Sequence, residues 1–287
     1  TYESTHDACG LTASGKDLTI QNAIVQRMTG TAIAFGFIVN YTAAEGMLTL
    51  DNVELIAPVG GNTDYIHEVS PSVIGWSQAG PELVMTDCVV RTNGYGIFNR
   101  WDKATYTGTT FTGLEGVKID DPSVTVKTCY MALNYPSVSA VSFDGCTFEN
   151  MRSWAVLASG TSLEVKNSTF AGTNQSRAIS VAGTWGTKIG TCTITGNTFD
   201  LAGSGYGIKF EDAVTESSKV VIEDNTFKNS NNTEDGYCVS NVDASGDPAE
   251  TEIKVNGSTF ENCSQKFVGS VNLEDSETPA ADKVVLV

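Results

Sequence analysis

An eight-residue phrase recurs along the chain, and this repeat limits the possible folds more than any other feature of the sequence. It ends in a large apolar residue, as in "VVIEDNTF" at 220–227, "CTITGNTF" at 192–199 and "LEVKNSTF" at 163–170. With weaker versions such as "LTLDNVEL" at 48–55, ten copies occur, spaced on average by about 26 residues. The copies end at Val25, Leu55, Val90, Phe111, Met131, Phe148, Phe170, Phe199, Phe227 and Phe260.

Each phrase has the pattern of a short strand followed by a turn. The positions seven and five places before the final residue are apolar, as in Leu163 and Val165, and the residue between them is mostly polar. This alternation is typical of a strand with one buried face. Three places before the end stands a turn-forming residue such as Asn167. After a loop of variable length comes a second apolar strand, such as "RAISV" at 177–181.

One such unit is too small to bury its apolar face alone, but stacked units can do so. If each strand pairs with its equivalent in the next coil at roughly 4.8 Å, the apolar positions form one continuous core. The sequence therefore predicts an all-β, parallel β-helix solenoid of about ten to eleven coils. We expect a single domain over 1–287, with an initial segment at 1–17, repeat coils at 18–271 and a terminal segment or cap at 272–287.

The residues inside the phrase are expected to be scaffold rather than catalytic groups. Asn197 and Asn225 occupy the same position in consecutive coils, so their amides can form a hydrogen-bonded ladder along the axis. Cys129 and Cys146 occupy this position in two earlier coils. The phenylalanines that end the phrases are expected to stack as a second internal ladder.

The pattern I-x-x-N-x-F, followed by a strand beginning G-I or A-I, resembles the repeat of the right-handed parallel β-helix in the pectin-lyase-like superfamily. The resemblance extends from Leu18 to about Val271. It implies right-handed coils. That superfamily includes polysaccharide lyases and hydrolases, phage tailspikes, and bacterial adhesins without catalytic activity, so the fold alone does not select a function.

The charge of the chain excludes several kinds of partner. A net charge of −17 opposes binding to nucleic acid, and also to polyanionic sugars unless cations bridge the charges. The most apolar stretch, "TAIAFGFIV" at 31–39, is too short to span a membrane, so we expect no membrane insertion. Residues 1–17 show no amphipathic helix to cover the first coil. We therefore expect a preceding segment or domain outside this chain.

Cysteine and histidine usage argues against zinc sites and nucleophile–histidine pairs. The chain has seven cysteines and two histidines, with no C-x-x-C motif. Buried cysteines that act as small apolar residues are favoured over a disulfide framework, which remains the alternative.

Motifs for glycoside hydrolysis are incomplete. A hydrolase of this type needs paired carboxylates on adjacent coils. Of the motifs implied by a resemblance to polygalacturonases, only Asn-Thr-Asp at 62–64 and the pair Asp120 and Asp121 have counterparts here. Gly-His-Gly and Arg-Ile-Lys are missing, and we interpret the two acidic matches as loop residues.

A polysaccharide lyase would need a lysine or arginine base, usually with calcium. Arg152, Arg177 and Lys209 follow three successive phrases and could share one side of the rod. The acidic pairs at 211–212 and 223–224 could bind calcium, although solvated edges are the favoured interpretation. No other cofactor is expected.

Aromatic residues outside the phrase are the candidate carbohydrate-binding residues. Trp101, Trp154, Trp185 and Tyr206, together with Tyr237, follow the phrase endings in the loops. Exposed rings can pack on the apolar faces of sugars, whereas the alternative is that these rings cover the core.

These observations predict a microbial protein that is extracellular or on the cell surface. The leading hypothesis is a non-catalytic, adhesin-like or glycan-binding rod whose partner is a carbohydrate or other cell-surface ligand. The alternative is a polysaccharide lyase or glycoside hydrolase, and a third possibility is a trimeric tailspike-like fragment. The loops at 36–46, 56–82 and 91–105 are expected to form the cleft.

Overall fold

The structure is a computed structural model that describes most of the repeat coils. The described residues are 11–13, 17–26, 39–41, 45–57, 69–71, 81–92, 97–99, 101–112, 132–134, 140–149, 154–158, 162–171, 177–183, 188–201, 205–230, 237–264 and 266–274. These residues form 27 strands and no helix. The prediction of an all-β chain is confirmed.

The strands form two long sheets, here called sheet A and sheet B. Sheet B contains ten strands, one per coil: β1 Leu11–Ala13, β3 Val39–Tyr41, β5 Val69–Pro71, β8 Ile97–Asn99, β11 Ala132–Asn134, β14 Trp154–Ala158, β17 Arg177–Ala182, β20 Tyr206–Glu211, β23 Val239–Val242 and β26 Phe267–Gly269. These are the second strands of the repeat units.

Sheet A contains the strands of nine of the ten predicted copies of the phrase. Its seventeen strands are β2 Asp17–Gln26, β4 Met47–Ala57, β6 Glu82–Thr86, β7 Val89–Thr92, β9 Lys103–Thr107, β10 Thr110–Thr112, β12 Ala140–Asp144, β13 Thr147–Glu149, β15 Ser162–Lys166, β16 Thr169–Ala171, β18 Thr191–Thr195, β19 Thr198–Asp200, β21 Lys219–Glu223, β22 Thr226–Lys228, β24 Ile253–Asn256, β25 Thr259–Glu261 and β27 Val271–Glu274. Each strand pairs in parallel with the equivalent strand of the next coil, as Phe199 does with Phe227. This is the predicted parallel β-helix. The exception among the ten copies is the one that ends at Met131, which lies outside the described residues; no strand of it comes between β10 and β13, because Phe111 pairs directly with Phe148.

A sharp bend separates the two sheet A strands in seven coils, from β6 and β7 to β24 and β25, and it lies within the continuous strands β2 and β4. The bend residue is left-handed, with φ of 50° at Asn167, 54° at Asp224 and 67° at Gly196. Only Gly, and less readily Asn and Asp, adopt this conformation at low cost. At Gly108, an added Cβ would lie 2.4 Å from Oδ1 of Asp87 in the preceding coil, so any other residue would also require the Asp87 side chain to move. The predicted turn position is confirmed.

The phenylalanines form a continuous internal stack. Ring centroids are 4.9 Å apart between Phe111 and Phe148, 4.6 Å between Phe148 and Phe170, and 4.8 Å between Phe170 and Phe199. The stack continues to Phe227 at 4.9 Å, and all these rings are fully buried. The rings repeat at nearly the strand spacing, so each one fills the space above its neighbour.

The asparagine ladder is also present. Asn197 donates from Nδ2 to Oδ1 of Asn225 at 3.0 Å and to the carbonyl of Val165 at 2.9 Å. Asn225 Oδ1 also accepts the backbone N–H of Asn197 at 3.0 Å, and its Nδ2 donates to the carbonyl of Ile194 at 2.8 Å. These amides satisfy buried backbone groups at the bend, which is a scaffold role.

The described cysteines are thiols rather than disulfides. Cys88, Cys146, Cys192 and Cys238 are buried, whereas Cys263 is half-buried. Burial raises the pKa of Cys146 to about 11 and that of Cys192 to about 12, because the thiolate is poorly solvated in the core. Cys9 and Cys129 lie outside the described residues.

Candidate functional site

The candidate site lies on the outer face of sheet B, across strands β17, β20 and β23. Ile179 and Ile208 are fully buried in the core, whereas Arg177, Tyr206, Lys209 and Glu211 keep partly exposed side chains. The register pairs Ser180 with Lys209, and Lys209 with Ser240. Both serines are buried, so the exposed part of this region is formed by Arg177, Tyr206, Lys209, Glu211 and Tyr237, which we call the sheet B face.

Charged side chains converge on one carboxylate of this face. Arg177 Nη1 lies 3.0 Å from Oε2 of Glu211, and Lys209 Nζ lies 3.4 Å from the same oxygen. The side chains are 21%, 13% and 26% exposed for Arg177, Lys209 and Glu211, so water and salt screen them less than fully exposed ions. Two cations and one carboxylate leave a local positive charge on a chain whose net charge is −17.

Aromatic rings border these charges. The rings of Tyr206 and Tyr237 are neighbours, with centroids 6.0 Å apart and planes inclined by 30°. Lys209 Nζ lies 5.1 Å from the centroid of the Tyr206 ring, within the range of a cation–π contact. The backbone register also pairs Trp154 with Arg177 and Arg177 with Tyr206, so these three positions follow one column across β14, β17 and β20.

Two buried hydroxyls, those of Ser180 and Ser240, lie on either side of Lys209 in the register. Ser240 is only 1% exposed, and its Oγ has no hydrogen-bond partner among the described residues. A buried hydroxyl without a partner is unfavourable and uncommon in folded proteins. Arg177 Nη1 donates to the neighbouring hydroxyl of Ser180 at 3.4 Å.

The structure brings together three of the residues that the sequence suggested. Arg177 and Lys209, which are candidate bases, lie on this face together with Tyr206, which is a candidate carbohydrate-binding residue. Arg152, Trp185 and the pair Asp120 and Asp121 lie outside the described residues. The backbone of Trp154 lies in β14, but its side chain is not described. The predicted cleft at 36–46, 56–82 and 91–105 falls largely outside the described residues, as does 62–64.

Trp101 is a correction to the proposed carbohydrate-binding set. Its side chain is fully buried and belongs to the core cluster. It therefore offers no ring face to a ligand in this structure. A large aromatic side chain gains most from removal from water, and here it fills the core just before β9.

The acidic pairs suggested for calcium have other partners. Glu211 is held by Arg177 and Lys209, and Oδ1 of Asp212 lies 2.5 Å from Lys188 Nζ. Glu223 accepts from Nδ2 of Asn256 at 3.3 Å. Across the ranges that the structure describes, three or more metal-binding side chains do not gather at any point.

The sequence suggested Glu211 as half of a calcium-binding pair and did not predict its ion pairs with Arg177 and Lys209. It also did not single out Ser180 or Ser240, which are buried in "RAISVA" and "VSNV". Because the loops between phrases differ in length, the sequence does not predict which residues of neighbouring sheet B strands pair with each other.

A family model described as "Right handed beta helix region" matches residues 131–282, which is 152 of the 287 residues. No curated protein and no solved structure matches the chain. Within the described part of the chain, no helix is long and apolar enough to cross a membrane.

Proposed function

The chain belongs to the right-handed β-helix family, and from this premise we propose that it is an extracellular or cell-surface protein that binds a glycan without cleaving it. The observation that carries the proposal is the pair of neighbouring rings, Tyr206 and Tyr237, beside the Arg177–Glu211–Lys209 cluster. Sugar rings have apolar faces that pack on aromatic rings, and hydroxyls that bond to charged and polar side chains.

The local charge favours a sugar that carries a carboxylate. Arg177 and Lys209 exceed Glu211 by one positive charge, and such a sugar can join the existing ion pairs. The overall charge of −17 opposes a long polyanion elsewhere on the rod. We therefore expect a glycan with spaced rather than continuous acidic units.

The chemistry of the face supports binding rather than hydrolysis. Glycoside hydrolysis needs two carboxylates placed on either side of the scissile bond. The two acids here, Glu211 and Asp212, are each engaged by a cation. An ion-paired ammonium such as that of Lys209 has three donors and no lone pair with which to accept a proton.

Replacing Tyr206 with alanine is expected to weaken glycan binding about tenfold, because the ring surface and its contact with Lys209 are both lost. The measurement is isothermal titration calorimetry against a panel of neutral and acidic polysaccharides. Tyr206→Phe keeps the ring and is expected to bind nearly as well as the wild type. Unchanged affinity of Tyr206→Ala would place the binding site elsewhere.

Replacing Lys209 with glutamine is expected to weaken the binding of acidic glycans several-fold, because one positive charge that attracts the sugar carboxylate is removed. The affinity of the variant should also depend less on salt concentration. Lys254→Gln is the matched control. Lys254 also forms an ion pair with a carboxylate, that of Glu274, but it lies on sheet A. Equal losses in the two variants would show a general charge effect and contradict the assignment.

A polysaccharide lyase is the second candidate, favoured by one observation. Arg177 and Lys209 lie on adjacent coils and share Glu211, so a uronate could displace Glu211 and be held by one cation while the other, after losing its own proton, takes the α-proton of the uronate. Unsaturated uronate products would support this alternative, and they would disappear in Lys209→Gln or Arg177→Gln.

A further inference from the structure

Two cysteines meet at a corner of the last described coils, outside the sheet B face. Cys238 immediately precedes β23, and Cys263 follows β25 in the next coil. Two backbone bonds fix this corner: Ser264 N donates to Ser230 O at 2.9 Å, and Val239 N donates to Lys266 O at 3.0 Å. The two thiols are within hydrogen-bonding contact of each other, and Cys263 Sγ also donates to the carbonyls of Phe227 and Glu261, each at 3.4 Å.

The two thiols differ in accessibility and in acidity. Cys238 is fully buried, whereas Cys263 is the one cysteine among the described residues that keeps solvent-exposed surface. The pKa of Cys263 is lowered to about 7, mainly by the contact with Cys238 and also by the backbone of Ser230 and the charge of Lys266, while burial and the charge of Glu261 oppose this shift. The same contact and burial raise the pKa of Cys238. One thiol is therefore exposed and acidic, and its neighbour is protected.

We propose that Cys263 and Cys238 form a dithiol–disulfide couple that reacts with low-molecular-weight disulfides. In the first step, the Cys263 thiolate attacks one sulfur of the small disulfide, forms a mixed disulfide and releases one thiolate. In the second step, Cys238 loses its proton to solvent and its sulfur attacks Cys263. The Cys238–Cys263 bond forms and the second thiolate leaves. The small disulfide is reduced to two thiols, and the protein loses two hydrogen atoms.

The contact between the thiols also has a structural consequence. Each half of the pair belongs to a different coil, so the bond would join two consecutive coils covalently and close the chain between residues 238 and 263. Cross-links of this kind stabilise a fold mainly by restricting the unfolded chain. We expect the oxidised protein to unfold at a temperature several degrees higher than the reduced protein.

The test uses the full chain with Cys9 and Cys129 replaced by serine, so that the cysteines outside the described residues cannot react. The protein is incubated with oxidised glutathione, alkylated and mapped by mass spectrometry. We expect a Cys238–Cys263 disulfide, with no reaction at Cys192, which is fully buried and serves as the internal control. The rate at which oxidised glutathione reacts with Cys263 should be about half as high at pH 7 as at a pH well above 7. The thiolate is the nucleophile, and about half of the Cys263 side chains are thiolates at a pH equal to the pKa.

Single variants separate the two roles. Cys238→Ser should stop at a stable glutathione adduct on Cys263, whereas Cys263→Ser should leave Cys238 at least tenfold less reactive than Cys263 in the parent. A parent protein that carries only the glutathione adduct, or that reacts at Cys192 as fast as at Cys263, would overturn the proposal. The mapping of the parent does not depend on the folding of either variant.

Discussion

Replacing Phe199 with alanine is expected to lower the free energy of unfolding by about 3–5 kcal/mol. The ring is fully buried and lies in the middle of the stack, 4.8 Å from Phe170 and 4.9 Å from Phe227. Its loss removes apolar contact on both sides and leaves a cavity that the rigid coils above and below cannot fill. Urea unfolding followed by circular dichroism measures the change.

Phe260→Ala is the matched control for this prediction. Phe260 stacks on Phe227 at a wider spacing of 5.4 Å and is only half-buried. We expect its replacement to cost about half as much as that of Phe199, because fewer contacts are lost and water can enter the space. Equal losses in the two variants would show that the stack does not act as a continuous core.

Replacing Asn225 with alanine is expected to cost about 3 kcal/mol, because several buried hydrogen bonds are lost together. Its amide accepts the backbone N–H and the side-chain N–H of Asn197 and donates to the carbonyl of Ile194. Removing the side chain takes this acceptor from the backbone N–H of Asn197 and this donor from the carbonyl of Ile194 in the core, where neither group can reach water. The same urea unfolding experiment measures the loss.

Asn225→Ser tests whether the ladder, rather than side-chain volume, explains the effect. Serine occurs naturally at this position of the repeat, where Oγ of Ser168 accepts the N–H of Cys146 at 3.0 Å. The serine variant keeps an acceptor for the N–H of Asn197, so a smaller loss than in Asn225→Ala is expected. If serine and alanine destabilise equally, the ladder does not make the proposed contribution.

The repeated phrase made the scaffold predictable from the sequence. Strand alternation, the left-handed bend and the phenylalanine stack all depend on fixed offsets within eight residues. Phe199 and Phe227 therefore had to meet once the phrases were stacked, as they do. The same reasoning placed Asn197 next to Asn225.

The face of sheet B was less predictable, since its strands lie beyond loops of variable length. The contact of Glu211 with both Arg177 and Lys209 depends on a register that only the folded chain defines. Trp101 shows the same limit, because nothing in its local sequence distinguishes a buried ring from an exposed one. Tertiary packing decides both cases.

The contact between Cys263 and Cys238 could not be predicted from the number and spacing of the cysteines. The sequence favoured buried cysteines outside disulfides, and Cys88, Cys146 and Cys192 fit this interpretation. The meeting of Cys263 with Cys238 depends on the corner between two coils, which the phrase does not encode. The two cysteines are therefore distinguished from the others by geometry rather than by spacing.

The central claim is that this rod binds a glycan and leaves it intact. The most direct measurement is a calorimetric titration with neutral and acidic polysaccharides, with and without calcium, in which the same samples are analysed for new reducing ends and unsaturated uronates. We predict saturable binding that weakens in Tyr206→Ala, with no product from any glycan. Products that accumulate in proportion to the protein and time would contradict the claim and identify an enzyme.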